Sequence, residues 1–117
     1  MPTNFLKQIK IMPKKNPITL NENVLNVVLE ERLDINNSMK LIEELNKYRE
    51  EEDITEVVFD ARKLTYIAST GIRAVLFADQ VVGNNPKVTI VGASADVYHV
   101  FEMTGLAKFI EFKDAQE

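Results

Sequence analysis

The chain has 117 residues, with 14 Lys and Arg against 18 Asp and Glu, one His, no Cys and no Trp; that length holds one core and no second domain of ordinary size. The absence of Cys excludes disulfides, thiolate zinc sites, iron–sulfur clusters and a Cys nucleophile, and His99 alone cannot build a two-His metal centre. Residues 1–17 carry Lys7, Lys10, Lys14 and Lys15 and no acid, leaving ten basic against 18 acidic residues beyond them, a formal −8 that repels nucleic-acid phosphates.

These features argue against an enzyme, a resident cofactor or metal, and direct nucleic-acid binding. The longest aliphatic or aromatic run, Ala74–Ala78, is far too short for a membrane span, and the N-terminus lacks the apolar stretch of a signal peptide. A cytoplasmic protein is the expectation.

Pro2, Pro13 and Pro17 punctuate residues 1–17, where Leu6, Ile9 and Ile11 only hint at alternation, so this basic stretch reads as an arm or an edge strand ahead of a domain over 18–117. Ile18–Leu20 and Val24–Leu29 flank Asn21-Glu22-Asn23, which predicts a β-hairpin. Asp34, or one of Asn36, Asn37 and Ser38, can cap a helix in which Ile35, Met39, Ile42 and Leu45 recur at spacings of four and three, predicting that they form its buried face. Glu43, Glu44, Glu50, Glu51, Glu52 and Asp53 make the opposite face and the exit acidic, as a solvated face or a docking surface would be.

Within Ile54–Asp60, Val57-Val58-Phe59 predicts a central strand buried on both faces. Ser69 and Thr70 then offer N-cap hydroxyls to an apolar helix over about Gly71–Val82, with Gly83 and Pro86 as stop signals. Lys87–Val91 reads as a further strand, Val97, Val100, Phe101 and Thr104 as a third helix ended by Gly105, and Phe109–Phe112 as the last strand. Strands alternating with helices imply crossovers and a mostly parallel α/β layer.

The informative segment runs from Val57 to Leu76. A strand ends in Asp60, and a connector then delivers Ser69, Thr70 and Gly71 to the first turn of a helix. Unpaired backbone amides and the helix dipole favour an anion at such a place. Ser69 and Thr70 are also ordinary capping residues, Gly71 suits close helix packing, and Asp60 could hold the connector's amides. Arg73 is placed to pair with a phosphate or with a partner's acid, or is a plain surface charge.

Here the sequence resembles the STAS domain, the sulphate transporter and anti-sigma factor antagonist family, and especially its stand-alone bacterial antagonists. The resemblance covers roughly residues 18–112. It rests on the strand ending in Asp60, on Ile67-Ala68-Ser69-Thr70-Gly71-Ile72 at the place of the family's Asp-Ser-Ser-Gly-Leu, on Leu33-Asp34, and on Phe101-Glu102-Met103-Thr104-Gly105-Leu106 as its closing Thr-Gly-Leu. It implies a mixed, mostly parallel sheet and a phosphorylation-controlled partner switch in which an anti-sigma factor kinase modifies the antagonist and a phosphatase restores it. Thr70 occupies the family's acceptor position, with Ser69 the alternative, and Asp34, Asp60, Ser69, Gly71, Ile72 and Arg73 are the implied supporting or partner-binding residues. The chain departs from the pattern at Ala68, where the family usually has Asp, and at Thr70, where Ser is commoner. A STAS-like scaffold or sensory subunit that docks without being phosphorylated is the alternative function.

Overall fold

The structure is a computed structural model that describes residues 17–50, 53–82 and 87–115. Readings that concern the basic arm over 1–16, Glu51 and Glu52, and the stop signals Gly83 and Pro86 lie outside those residues.

The hairpin forms as the sequence implies. Strands β1 (Ile18–Asn21) and β2 (Val24–Val28) run antiparallel, with Asn21 opposite Val24. Glu22 takes a left-handed φ of 57° in the two-residue link, a conformation that lets so short a turn follow the twist of its strands. The Asn23 amide then donates to the Asp53 carbonyl at 2.7 Å, fixing the hairpin tip to a distant loop.

Three more strands, β4 (Glu56–Asp60), β6 (Val88–Val91) and β7 (Glu111–Lys113), complete a five-stranded sheet in the order β1-β2-β4-β6-β7. From β2 onward every neighbour is parallel. Helices α1 (Ile35–Asn46), α2 (Ser69–Phe77) and α3 (Ala95–Met103) occupy the crossovers. Each crossover joins adjacent strands in the same direction across the sheet, so right-handed connections place all three helices over one face.

Burial follows from that arrangement. Leu25, Val27, Val57 and Phe59 are fully buried beneath the helices, whereas Val24, Val28, Val58 and Asp60 on the reverse face are only partly covered. The expectation that Val57-Val58-Phe59 is buried on both faces is therefore corrected: the strand is central, but helices cover it on one side. On the reverse face Thr89 is nonetheless buried, its hydroxyl donating to Glu56 Oε2 at 2.7 Å, with Lys87 Nζ 3.9 Å from both Glu56 and Glu111.

A second, two-stranded ladder pairs β3 (Arg32–Leu33) with β5 (Tyr66–Ile67) in parallel. It is too short to have a periodic signal. It continues into the Ala68 amide, which donates to the Leu33 carbonyl at 2.9 Å. That bond holds Ala68 extended (φ −87°, ψ 169°), so the chain turns helical at Ser69. Ala68 is thus the N-cap of α2, and the expectation that Ser69 or Thr70 caps it is corrected. The α-helix also ends earlier than Val82, passing after Phe77 into a 3-10 turn over Ala78–Gln80.

In α1 the inward residues are Asn37, Ser38, Leu41 and Leu45, while Ile35 and Met39 are 59% and 58% exposed. The predicted face is rotated because the first turn is tied down by polar contacts. Asp34 Oδ1 accepts from the amides of Asn36 and Asn37, Asn37 Oδ1 accepts from the Asp34 amide, and Asn37 Nδ2 donates to the Arg32 carbonyl at 2.6 Å. These bonds turn Asn37 and Ser38 inward and leave the flanking apolar pair outside. Helix α3 is capped by Ser94, whose Oγ accepts from the Val97 amide. It ends in a Schellman arrangement, with Gly105 at φ 78° and the Leu106 amide donating to the Phe101 carbonyl. The last strand lies slightly later than expected, because Phe109 belongs to a 3-10 turn over Ala107–Phe109.

Candidate functional site

The parallel strands end on one edge of the sheet, and the helix heads start there. The heads of α1 and α2 meet through Leu33, which precedes the α1 cap Asp34 and accepts the Ala68 amide. Gly71 makes this approach possible. A Cβ at that position would lie 2.8 Å from the Leu33 carbonyl oxygen and 2.8 Å from Ile67 Cγ1, closer than such atoms can sit without displacement.

The two heads differ chemically. At α1 the Asp34 carboxylate takes up first-turn amides. At α2 the cap is an alanine, and among the described residues the amides of Ser69 and Thr70 find no acceptor. Two orphan donors at the positive end of a helix dipole favour an anion. The hydroxyls beside them also differ: Ser69 is exposed, while Thr70 is partly covered and its Oγ1 is buried with no hydrogen-bond partner among the described residues.

The remaining sequence-predicted residues fall into separate places. Ile72 is buried in the core and offers no surface for a partner. Arg73 is exposed on α2 and makes no ion pair among the described residues. Asp60 stands at the end of β4, but its carboxylate is engaged by Arg62: Nε at 2.9 Å and the Arg62 amide at 3.1 Å to Oδ1, and Nη2 at 2.6 Å to Oδ2. The hydrogen bond from the Arg62 side chain holds the Asp60 carboxyl below its usual value, against a smaller opposing effect of burial. The structure therefore brings Asp34 to the α2 head through Leu33, while Asp60 is committed to its own connector. His99 is an exposed residue whose Nδ1 lies 3.3 Å from Glu102 Oε1.

Sequence reasoning missed the apolar rim of this edge. Ile35, Met39 and Tyr66 are all largely exposed. The Arg32 guanidinium stacks 4.2 Å above the Tyr66 ring, a cation–π contact across the short ladder. The signal for Ile35 and Met39 was present as helical spacing but pointed to the core; only the capping contacts of Asn37 distinguish rim from core.

Fourteen solved chains match this fold. The SpoIIAA anti-sigma factor antagonist in its unphosphorylated form superposes with a TM-score of 0.68 at 17% identity, over 83% of this chain and 86% of that one. A candidate anti-sigma factor antagonist of Thermotoga maritima gives 0.70 at 13% identity, over 85% and 86%. The Bacillus cell-fate determinant SpoIIAA in its phosphorylated form gives 0.66 at 14% identity, over 83% and 89%. At such identities the likeness speaks for the fold, a mostly parallel mixed sheet with an antiparallel N-terminal hairpin. The sequence model of the STAS domain matches residues 17–117, and the chain belongs to that family.

Proposed function

We propose that this protein is an anti-sigma factor antagonist acting in the cytoplasm, which binds an anti-sigma factor kinase and is released from it by phosphorylation at the head of α2. A phosphatase reverses the modification, and transcription is regulated through the partner rather than by contact with DNA. The observation that carries this reading is the uncapped α2 head, with its hydroxyls and orphan amides, together with the exposure of Ile35 and Met39 on α1 and of Tyr66 on β5. The apolar rim supplies docking area, and Arg73 and Arg32 supply charges for a partner's acids.

A phosphate adds about −1.5 to −2 charge. The α2 head accommodates it through the dipole and the free amides, whereas an apposed surface meets repulsion and loses fit. A hundredfold loss of affinity corresponds to about 2.7 kcal/mol, within the range of such an interface change. Family membership supports the reading, as does the likeness to SpoIIAA, which has been solved in unphosphorylated and phosphorylated forms.

The test is capture from host lysate with and without phosphatase treatment, followed by mass spectrometry of bait and partners. The expected result is an anti-sigma factor kinase retained only by the dephosphorylated chain. Retention of the same partners by both forms would instead establish a scaffold that docks without phosphorylation, the reading favoured by Ala68 in the family's Asp position.

A further inference from the structure

We propose that the seam between α3 and β7 is an interface between two copies of this chain related by a two-fold axis. β7 is last in the order β1-β2-β4-β6-β7, and α3 lies in the crossover that leads to it. Tyr98 on α3 stands edge-on to Phe112 of β7, with ring centroids 4.8 Å apart and planes at 84°, and is 38% exposed. That ring borders two hollows. One, of about 330 Å³, is lined by Tyr98, Glu102, Gly105, Ala107 and Lys108. The other, of about 230 Å³, has Phe112, Lys113 and Asp114 in its wall.

Shape and charge both select a second copy as the occupant. The seam carries a hollow and, next to it, a side chain that can fill one. Phe109 is 65% exposed, and its ring lies 5.7 Å from the ammonium of Lys108, which lines the larger hollow. Gly105 leaves that hollow open, since a Cβ there would meet nothing within 4 Å. The formal charge of the chain is −4, so two copies repel unless they meet on a locally balanced surface. Glu102 with Lys108, and Asp114 with Lys113, give the seam equal acids and bases. Lys108 makes no ion pair among the described residues. A two-fold axis sets the same patch against itself. Phe109 of each copy then enters the larger hollow of the other, and Lys108 beside it meets the other copy's Glu102.

None of these residues belongs to α1, α2 or the β3–β5 ladder, so the α2 head stays open to a partner in the dimer, and this inference stands apart from the phosphorylation reading. Phe109→Ala removes the aromatic anchor, and Lys108→Glu sets like charges against each other; each should weaken self-association about tenfold or more. Both side chains are exposed, so neither change should lower the melting temperature of the monomer. The double variant Glu102→Lys with Lys108→Glu exchanges the two signs and should recover the association that Lys108→Glu loses.

The experiment is sedimentation equilibrium of the purified full chain and of these variants from about 10 µM to about 1 mM, with thermal melts as the control for folding. The expected result is a concentration-dependent dimer in the wild type and in the double variant, and a monomer over most of that range in Phe109→Ala and Lys108→Glu. A wild-type chain that stays monomeric throughout overturns the proposal. So does a dimer that persists in both single variants, which places the contact on another surface, or a double variant no more associated than Lys108→Glu, which removes the two-fold pairing of Glu102 with Lys108.

Discussion

Among the described residues Ser38 Oγ and Thr70 Oγ1 are buried without a partner, and a buried polar group left unpaired costs about 1–3 kcal/mol. Ser38 is fully enclosed on the inner side of α1, so Ser38→Ala should leave the urea midpoint unchanged or raise it, in contrast to the loss expected from deleting an ordinary buried side chain. Gly71→Ala should do the opposite. The added Cβ meets a backbone carbonyl that cannot yield without moving the β3–β5 ladder, and overpacking of this kind costs about 1–3 kcal/mol. At Asp60 the relevant variable is pH. The Arg62 side chain lowers its carboxyl below the reference value of 3.8, so the native state gains stability from it above that value and loses it as pH falls through the lower, folded value. Both groups reach solvent, so the effect is small. The stability difference between wild type and Asp60→Asn should shrink as urea titrations move from about pH 5 to about pH 2. Much at this scale was legible in the sequence: Asp34 as a cap and Gly71 as a close-packing residue follow from residue type. The covered oxygen of Thr70 was not legible, because which side of a threonine faces inward is settled by neighbours distant in sequence.

Among the described residues the heads of α1, α2 and α3 lie at the same end of their strands, and of these α2 lacks a capping side chain. Replacing Ala68 by Asp or Ser should supply the missing acceptor and raise stability by about 0.5–2 kcal/mol, read as an increase in thermal or urea midpoint. The same change would occupy amides that we assign to the phosphate, so stability would rise as the site loses its anion donors. The hairpin, the three helices and the central strands were readable from periodicity and turn residues. Two things were not. The ladder of Arg32–Leu33 with Tyr66–Ile67 is two residues long on each side, below any periodic signal, yet it decides where α2 begins. The rotation of α1 escaped pattern reading because its apolar arc is broad, and the bond from Asn37 to the Arg32 carbonyl selects which part of that arc turns inward.

Among the described residues the helices cover one side of the sheet, and substitutions on adjacent residues of β4 should show it. Phe59→Ala, beneath the helices, is expected to cost about 3–5 kcal/mol. Val58→Thr, on the reverse face, should cost about 1 kcal/mol or less. Equal losses in parallel urea titrations would contradict the one-sided arrangement. The class of fold was readable from the alternation of strand and helix, but the uncovered face was not, since an apolar triplet such as Val57-Val58-Phe59 looks the same whether one or both sides are covered. The strand order also bears on how the molecule is made. Each strand after β2 is laid beside the one formed just before it, apart from the small β3–β5 ladder. On a ribosome, every new strand therefore emerges to find its template already present, and the sheet can grow by accretion at a single advancing edge. Leu33 and Ala68 have both been synthesised before the first residue of β6, so the end that carries the hydroxyls can lock in place while the far side of the sheet is still being translated.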